Sequence, residues 1–426
     1  MTPREHTNVT VDERRLTYPR RSLAWRLFAL VFAVVVGLLA LALGVMLSTA
    51  QAQAAPQYTF AKVADSAQDG FDPFSFECSA INNRGDIAFR TARAPRRGSQ
   101  LIQGIYRANA DGRKLTTITE VGDGFDFLGQ IPSINDEGQV SFALRDFTQR
   151  GPNFLETQSI MRGSGMKPTT IATTADDFNR FGFEPTVNNS GVVAFKADLD
   201  TFDTFDNENG LFSGQDGKRA NITTHYLSST SQFSEFGSLS RPSINTLGDI
   251  AFEAPLDGES ASGIFVTEAG DFKTIAAPDP NVNVGRPNLN DAGTVAFHRF
   301  FNDRAGEELV TGNGGPLTVV ADTSGPFQSF GFTFVGFTPP ALNNDGDVAF
   351  LADLDSGGSG IFAGPDPGTD RVIGTGDTLD GSTVTNLRFC DESLNDSGQL
   401  AFQATFNDPS VPEGVRVAVY RATPAP

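Results

Sequence analysis

The sequence predicts an all-β fold: a seven-bladed β-propeller of four-stranded antiparallel blades, closed by its N-terminal strand and preceded by one hydrophobic helix. Three observations predict it. One nine-residue phrase recurs seven times at roughly 52-residue spacing. Four strand-like segments accompany most copies. The two ends of the repeat region have complementary phase.

The first copy of the phrase reads Ile81-Asn82-Asn83-Arg84-Gly85-Asp86-Ile87-Ala88-Phe89. Its Asn recurs at 82, 135, 188, 245, 290, 343 and 395, its Gly three later and its Phe seven later. The residue before the Phe is Ala in six copies and Ser141 in the other. Physically the phrase is a hairpin. Asn bonds its own downstream backbone, and Gly reaches positive φ at little cost. The apolar run ending in Phe then forms a buried strand. Gly104-Ile105-Tyr106, Gly263-Ile264-Phe265 and Gly360-Ile361-Phe362 mark a third strand, and Thr116-Thr117-Ile118 and Lys273-Thr274-Ile275 a fourth. The region opens with Tyr58–Val63, which reads as an outer strand with no inner strands before it. It finishes with Ala418-Val419-Tyr420, a third strand lacking its fourth. Pairing these ends completes the last blade and removes the exposed edges.

The chain divides into a cytoplasmic leader (1–26), a signal-peptide core or transmembrane helix (27–47), a linker (48–56) and the propeller (57–426). Leu27 to Leu47 carries no charge, and at about 1.5 Å per residue it spans roughly a 30 Å hydrocarbon core. Arg20, Arg21 and Arg26 precede it, so the N-terminus should stay in the cytoplasm. Ala52-Gln53-Ala54 has the small-residue pattern of a cleavage site, while the length of the apolar run suits an uncleaved anchor. Both readings place residues 57–426 outside the cytoplasm: periplasmic, at the cell surface or secreted. Arg20-Arg21-Ser22-Leu23 has the form of a twin-arginine signal.

The Asn-x-x-Gly-x-x-Ala-Phe phrase resembles bacterial exported proteins built of tandem NxxGxxAF repeats. It is also similar to the TolB-type propeller repeat, a likeness strengthened by Pro132, Pro185, Pro242, Pro287 and Pro340, each three before the Asn. The resemblance covers 57–423. It implies an exported bacterial propeller and carries no catalytic residue. Members of the tandem-repeat group often carry a C-terminal sorting anchor. This chain ends Thr423-Pro424-Ala425-Pro426, so the expected tether is the N-terminal segment.

The formal charge is −19; setting aside the six Arg and three acids of residues 1–54 leaves −22 on the rest. Such a body repels phosphate backbones, so nucleic acid is not an expected partner. Three His, no His-x-x-x-His, no Gly-x-Ser-x-Gly and no phosphate-binding Gly loop argue against the commonest hydrolase and nucleotide chemistries.

Function is expected where the repeats differ. Two before the Asn stand Ala80, Ser133, Thr186, Ser243, Asn288, Ala341 and Ser393, all small, as the wall of a central channel requires. Four before it stand Cys78, Ile131, Glu184, Arg241, Arg286, Pro339 and Asp391. Strand alternation puts both sets on the channel side. Glu184, Arg241, Arg286 and Asp391 are the candidate ligand-binding residues at the channel mouth, set against mutual pairing or plain hydration. Asp198, Asp200, Asp203 and Asp206 crowd one loop and suit Ca²⁺, the one candidate cofactor; a solvated acidic loop is the alternative. Cys78 and Cys390 are the only cysteines, and closure makes their blades neighbours, so a disulfide is one reading and two buried thiols the other. Their registers differ by one residue, which puts the side chains on opposite faces unless a bulge intervenes.

The functional expectation is an exported, monomeric, non-catalytic binding module for a protein or glycan, with N-terminal membrane association. The alternative is a carbohydrate-active hydrolase using paired carboxylates near Glu184 and Asp391.

Overall fold

The computed structural model describes residues 58–425 apart from 94–100, 123–125, 151–152, 166, 200–207, 235–239, 334–335 and 338. The leader, the apolar run 27–47, the linker 48–56 and three of the four loop aspartates (Asp200, Asp203 and Asp206) lie outside the described residues. Among the described residues no helix is long and apolar enough to cross a membrane.

Among the described residues seven antiparallel sheets of four or five strands follow one another along the chain, one per repeat. The first blade holds Ser79–Ile81, Ile87–Arg93, Ile102–Ala108 and Leu115–Val121, each paired with the next. The last holds Ser382–Arg388, Leu400–Asn407 and Val415–Pro424. Its fourth strand is Tyr58–Asp65, which pairs antiparallel with Val415–Pro424 from Tyr58↔Pro424 to Asp65↔Ala418. The first and last described strands therefore share one sheet.

The motif supplies seven of the 37 Phe. All seven copies are at most 2% exposed. Five of them face an aromatic residue directly across the second and third strands: Phe89↔Tyr106, Phe195↔Phe212, Phe252↔Phe265, Phe350↔Phe362 and Phe402↔Tyr420. Phe71, Phe178, Phe233 and Phe327 then meet these pairs, mostly edge-on, from the start of each repeat. Such pairs add about 0.5–1.5 kcal/mol each beyond their buried area.

The motif Asn joins the blades. Its Oδ1 caps its own turn: that of Asn82 accepts from Arg84 N–H at 3.1 Å and Asp86 N–H at 2.8 Å. Its Nδ2 crosses to the next blade and donates to the backbone carbonyl of the following motif Asn. The series runs Asn82→Asn135→Asn188→Asn245→Asn290→Asn343→Asn395→Asn82, with distances between 2.9 and 3.5 Å. Seven hydrogen bonds thus close a circle. All seven motif glycines that complete these turns have positive φ, from 68° to 95°, so a Cβ there would be strained.

A second circle lies outside the first, made by the residue after each motif Asn. Its backbone N–H donates to the side-chain Oδ1 of its counterpart one blade on: Asn83→Asp136→Asn189, then Thr246→Asp291→Asn344→Asp396→Asn83. Among the described residues the Asn189→Thr246 link is not made; blade four alone has Thr where the others have Asn or Asp.

The inner strands depart from simple alternation. In blades two, three, five and six each is broken into an outer and an inner piece, for example Phe178–Phe181 and Thr186–Val187. Pro cannot donate to a ladder, and Pro132, Pro185, Pro287 and Pro340 fall in the breaks. In blade three Phe181 pairs Ala197 while Thr186 pairs Ala194, so the inner strand carries two extra residues there. The residue four before the Asn stands on this bulge. Residues two before the Asn pack between neighbouring inner strands: the Ser133 and Ser243 hydroxyls accept the Val187 and Leu289 N–H groups of the next blade.

Completing the second circle tests this account. Thr246→Asn supplies the missing Oδ1 for the Asn189 N–H and should stabilise the protein by about 0.5–1.5 kcal/mol. Urea denaturation measures it; an unchanged or lower midpoint would contradict the geometry.

Candidate functional site

Glu184, Arg241, Arg286 and Asp391 come together in the channel. Arg241 Nε lies 3.1 Å from Asp391 Oδ2, and its Nη2 lies 2.5 Å from Glu392 Oε1. Arg286 Nη1 pairs with Glu184 Oε2. Neither pair joins neighbouring blades: the first links blades four and seven, the second blades three and five. Both therefore bridge across the channel. The Arg241 side chain is 1% exposed and that of Asp391 5%, while Arg286 and Glu392 are about a quarter exposed.

Glu392 was not singled out by sequence reasoning. It occupies the position that is Pro in five repeats, and that departure was the available signal. The Ser133 hydroxyl favours the ionised form of its carboxylate.

The electrostatics follow from enclosure. Burial disfavours the Arg241 cation, but Asp391, Glu392 and Glu184 outweigh it and hold its pKa above the ordinary guanidinium value. Burial pushes the Glu184 carboxyl up, against the pull of Arg286 and Arg241. It pushes Glu392 up as well, with Arg241 opposing and Asp391 reinforcing. Removing one partner from such a network leaves an uncompensated buried charge.

Cys78 and Cys390 form a disulfide with their Cα atoms 5.8 Å apart. The register difference is absorbed by a turn in which Ser393 N–H donates to Cys390 O at 3.1 Å. Ile131 packs against the bridge. Blades one and two thus give the channel an apolar side, and blades three, four, five and seven the charged one.

The opposite end of the channel, where the repeat turns gather, holds a cavity of about 140 Å³. Its floor is a ring of seven aliphatic side chains, one immediately before each motif Asn, from Ile81 to Leu394. The two Asn/Asp circles form its wall and rim. Sequence reasoning missed this ring because strict alternation sends the residue before the Asn away from the channel. The bulge resets the phase, so positions four before and one before the Asn both face inward.

Asp198 is the penultimate residue of the strand Val193–Leu199; its carboxylate takes a bond from Arg180 Nη2 at 2.7 Å and one from Asn209 Nδ2 at 3.4 Å. Among the described residues no group of three or more His, Cys, Asp and Glu is arranged to hold a metal ion.

Residues following the motif Phe form a further polar set between blades. Lys196 Nζ donates to the Glu253 carbonyl of the next blade at 3.0 Å, and burial lowers its pKa to about 8. His298, fully buried, sits 3.2 Å from the Glu307 carboxylate.

Residues 81–422 match the model of a family described as "Family of unknown function (DUF7453)". The chain belongs to the DUF7453 family. The NxxGxxAF and TolB likenesses remain similarities of motif. No curated protein matches the DUF7453 chain. Among solved structures it is similar to prolyl oligopeptidase B from Galerina marginata, at 9% identity and TM-score 0.47, over 81% of this chain and 48% of that one. It thus spans about half the length of that protein. It is also similar to the polysaccharide lyase Uly1, at 10% identity and TM-score 0.43, over 82% and 89% of the two chains. The β-propeller domain of the Trilobed protease from Pyrococcus furiosus matches at 9% identity and TM-score 0.34, over 68% and 93%.

The buried histidine of this DUF7453 protein makes a pH prediction. Burial lowers the His298 pKa below its ordinary value, against the pull of Glu307. Below about pH 6.5 the unfolded chain therefore binds a proton that the folded chain does not, and stability falls as pH drops through that range. Between pH 7.5 and 5.5 the wild type should lose more stability than His298→Gln in urea denaturation. Equal losses would show that His298 does not contribute.

Proposed function

We propose that this chain is an exported, non-catalytic binding module whose recognition surface is the charged mouth of its channel. The observation that carries the reading is the almost fully buried Arg241 guanidinium, held between Asp391 and Glu392 across the channel. A glycoside hydrolase needs two carboxylates free to exchange protons or attack, about 5–10 Å apart across an open cleft. Here Glu184 is engaged by Arg286, and Asp391 and Glu392 by Arg241. Fixed ion pairs of this kind shape and rigidify a surface without supplying a reactive group.

Export is supported by the Cys78–Cys390 disulfide, since such bonds persist in oxidising compartments, and by the apolar run after an Arg-rich leader. The strongly negative body argues against nucleic acid as a partner. The partner is a protein or a glycan, met by a monomer tethered or released at the N-terminal segment.

The test uses the full chain, purified in a detergent without a sugar head group, against a panel of soluble polysaccharides. The expected result is retention of a ligand with no release of reducing ends. Turnover that disappears in Glu184→Gln or Asp391→Asn would overturn the reading in favour of a hydrolase.

A further inference from the structure

Phe74 departs from its neighbours. Phe71 and Phe76 are 3% and 4% exposed and belong to the core between blades seven and one, whereas Phe74 is 69% exposed. The turn that carries it is pinned to the next strand. Asp72 N–H donates to the Ala92 carbonyl at 2.8 Å, Ser75 N–H to the Asp72 carbonyl at 3.2 Å, and Ala92 N–H to the Ser75 hydroxyl at 2.8 Å. The backbone therefore holds the ring outward. Among the described residues the other exposed large apolar side chains, Leu101, Leu155, Leu247 and Val319, are aliphatic.

Phe74 lines a cavity of about 360 Å³ at the junction of blades one and seven. Phe76 lines it too, and blade seven contributes Leu387, Val415 and Val417. Small-molecule sites occupy about 300–1,000 Å³. The two blades are fastened to each other here. Arg388 Nη1 donates to the Phe76 carbonyl at 2.8 Å and pairs with Glu77, and Gln403 Nε2 donates to the Glu77 carbonyl. The Cys78–Cys390 disulfide joins the same two segments two residues further on. A cleft fixed in this way loses little conformational freedom when a ligand enters.

The cavity also holds unmatched polar groups. Gln403 lines it and is 3% exposed. Its Nε2 is spent on the Glu77 carbonyl and the Ser79 hydroxyl, while its Oε1 accepts no hydrogen bond among the described residues. Asn386 uses its Oδ1 for the Leu387 N–H, which leaves its Nδ2 free to donate. The Thr405 hydroxyl, in the same lining, bonds to nothing among the described residues and can do either. No Asp or Glu lines the cavity, and its one cation, Arg388, is paired with Glu77.

These features select the ligand chemistry. The face of an aromatic ring is negative and attracts weakly positive C–H groups. Beside it stand one acceptor, one donor and one group that is both, with no charge left to neutralise. A pyranose ring matches all of this: it has a C–H face and a rim of hydroxyls that donate and accept. A carboxylate or an ammonium would find no free opposite charge. A protein partner would need about 800 Å² of contact on this side, yet Leu155, Leu247 and Val319 lie in other blades and do not extend an apolar patch around Phe74.

We propose that this junction is a glycan-binding site that stacks one neutral sugar ring on Phe74 and holds its hydroxyls with Gln403, Thr405 and Asn386. It shares no residue with the channel mouth and goes beyond the reading of the mouth as a recognition surface.

The experiment applies the full chain, in the same sugar-free detergent, to an array of neutral, uronic-acid-bearing and amino-sugar-bearing oligosaccharides and of proline-rich peptides. Phe74→Ala removes the ring, Phe74→Trp keeps an aromatic face, and Thr405→Val removes the hydroxyl at nearly constant shape. Because Phe74 is exposed, its replacement leaves the core intact. The expected result is saturable retention of neutral oligosaccharides, at least tenfold weaker in Phe74→Ala, at least threefold weaker in Thr405→Val and within threefold of wild type in Phe74→Trp, with all four proteins melting alike. Retention undiminished in Phe74→Ala or Thr405→Val would overturn the proposal and leave the mouth as the site that binds the sugar. Retention of no neutral oligosaccharide, or equal retention of charged ones, would overturn it as well. Phe74-dependent retention of the peptides in place of sugars would assign the cleft to a peptide and overturn it too.

Discussion

A carboxamide carries its acceptor and its donor on two separate atoms, and the fold depends on seven of them. Each motif Asn uses its oxygen to fix its own hairpin and its nitrogen to hold the next blade's carbonyl. Asp would supply the first bond and not the second. The following residue needs only an acceptor for the neighbouring N–H, and there the chain uses Asn, Asp, Asn, Thr, Asp, Asn and Asp. The contrast between an invariant position and an Asn/Asp-tolerant one beside it is thus a difference in hydrogen-bond inventory. The circle closes at Asn395→Asn82 without help from any strand. The disulfide and the Tyr58–Asp65 pairing reinforce the same junction from its inner and outer ends.

With closure provided by the repeated turns, the other end of the inner strand is free to vary. Its proline-associated bulges take residues off the ladder and turn them into the channel, where they answer to one another rather than to the repeat. Glu184 finds Arg286, and Arg241 finds Asp391 and Glu392, each across a channel that no repeat-level pattern describes. The same chain therefore combines a nearly symmetric polar cup at its turn end with an asymmetric charged mouth opposite.

The repeat made the blades, their number and their aromatic core legible, because Asn, Gly and Phe each satisfy a local requirement that recurs at fixed offsets. The convergence of the four charged residues was legible as well, since all stand four before the Asn. Their partnership was not: which carboxylate meets which guanidinium depends on crossing distances set by the closed ring. Period-two counting cannot see a bulge and so missed the aliphatic ring one before the Asn, although the prolines that accompany the bulge were in view. Glu392 was hidden by counting back to even positions, although its place where five repeats have Pro was in view.

The circle of carboxamides is tested most directly by a pair of adjacent substitutions in one turn, compared by urea denaturation at high salt to suppress the change in net charge. Asn290→Asp keeps the acceptor for Ala292 and Thr294 but loses the donor to Asn343. Asp291→Asn keeps the acceptor that Thr246 requires. The account predicts a loss of about 1–3 kcal/mol for the first and a change within about 0.5 kcal/mol for the second. Equal losses, or a larger loss for Asp291→Asn, would contradict it.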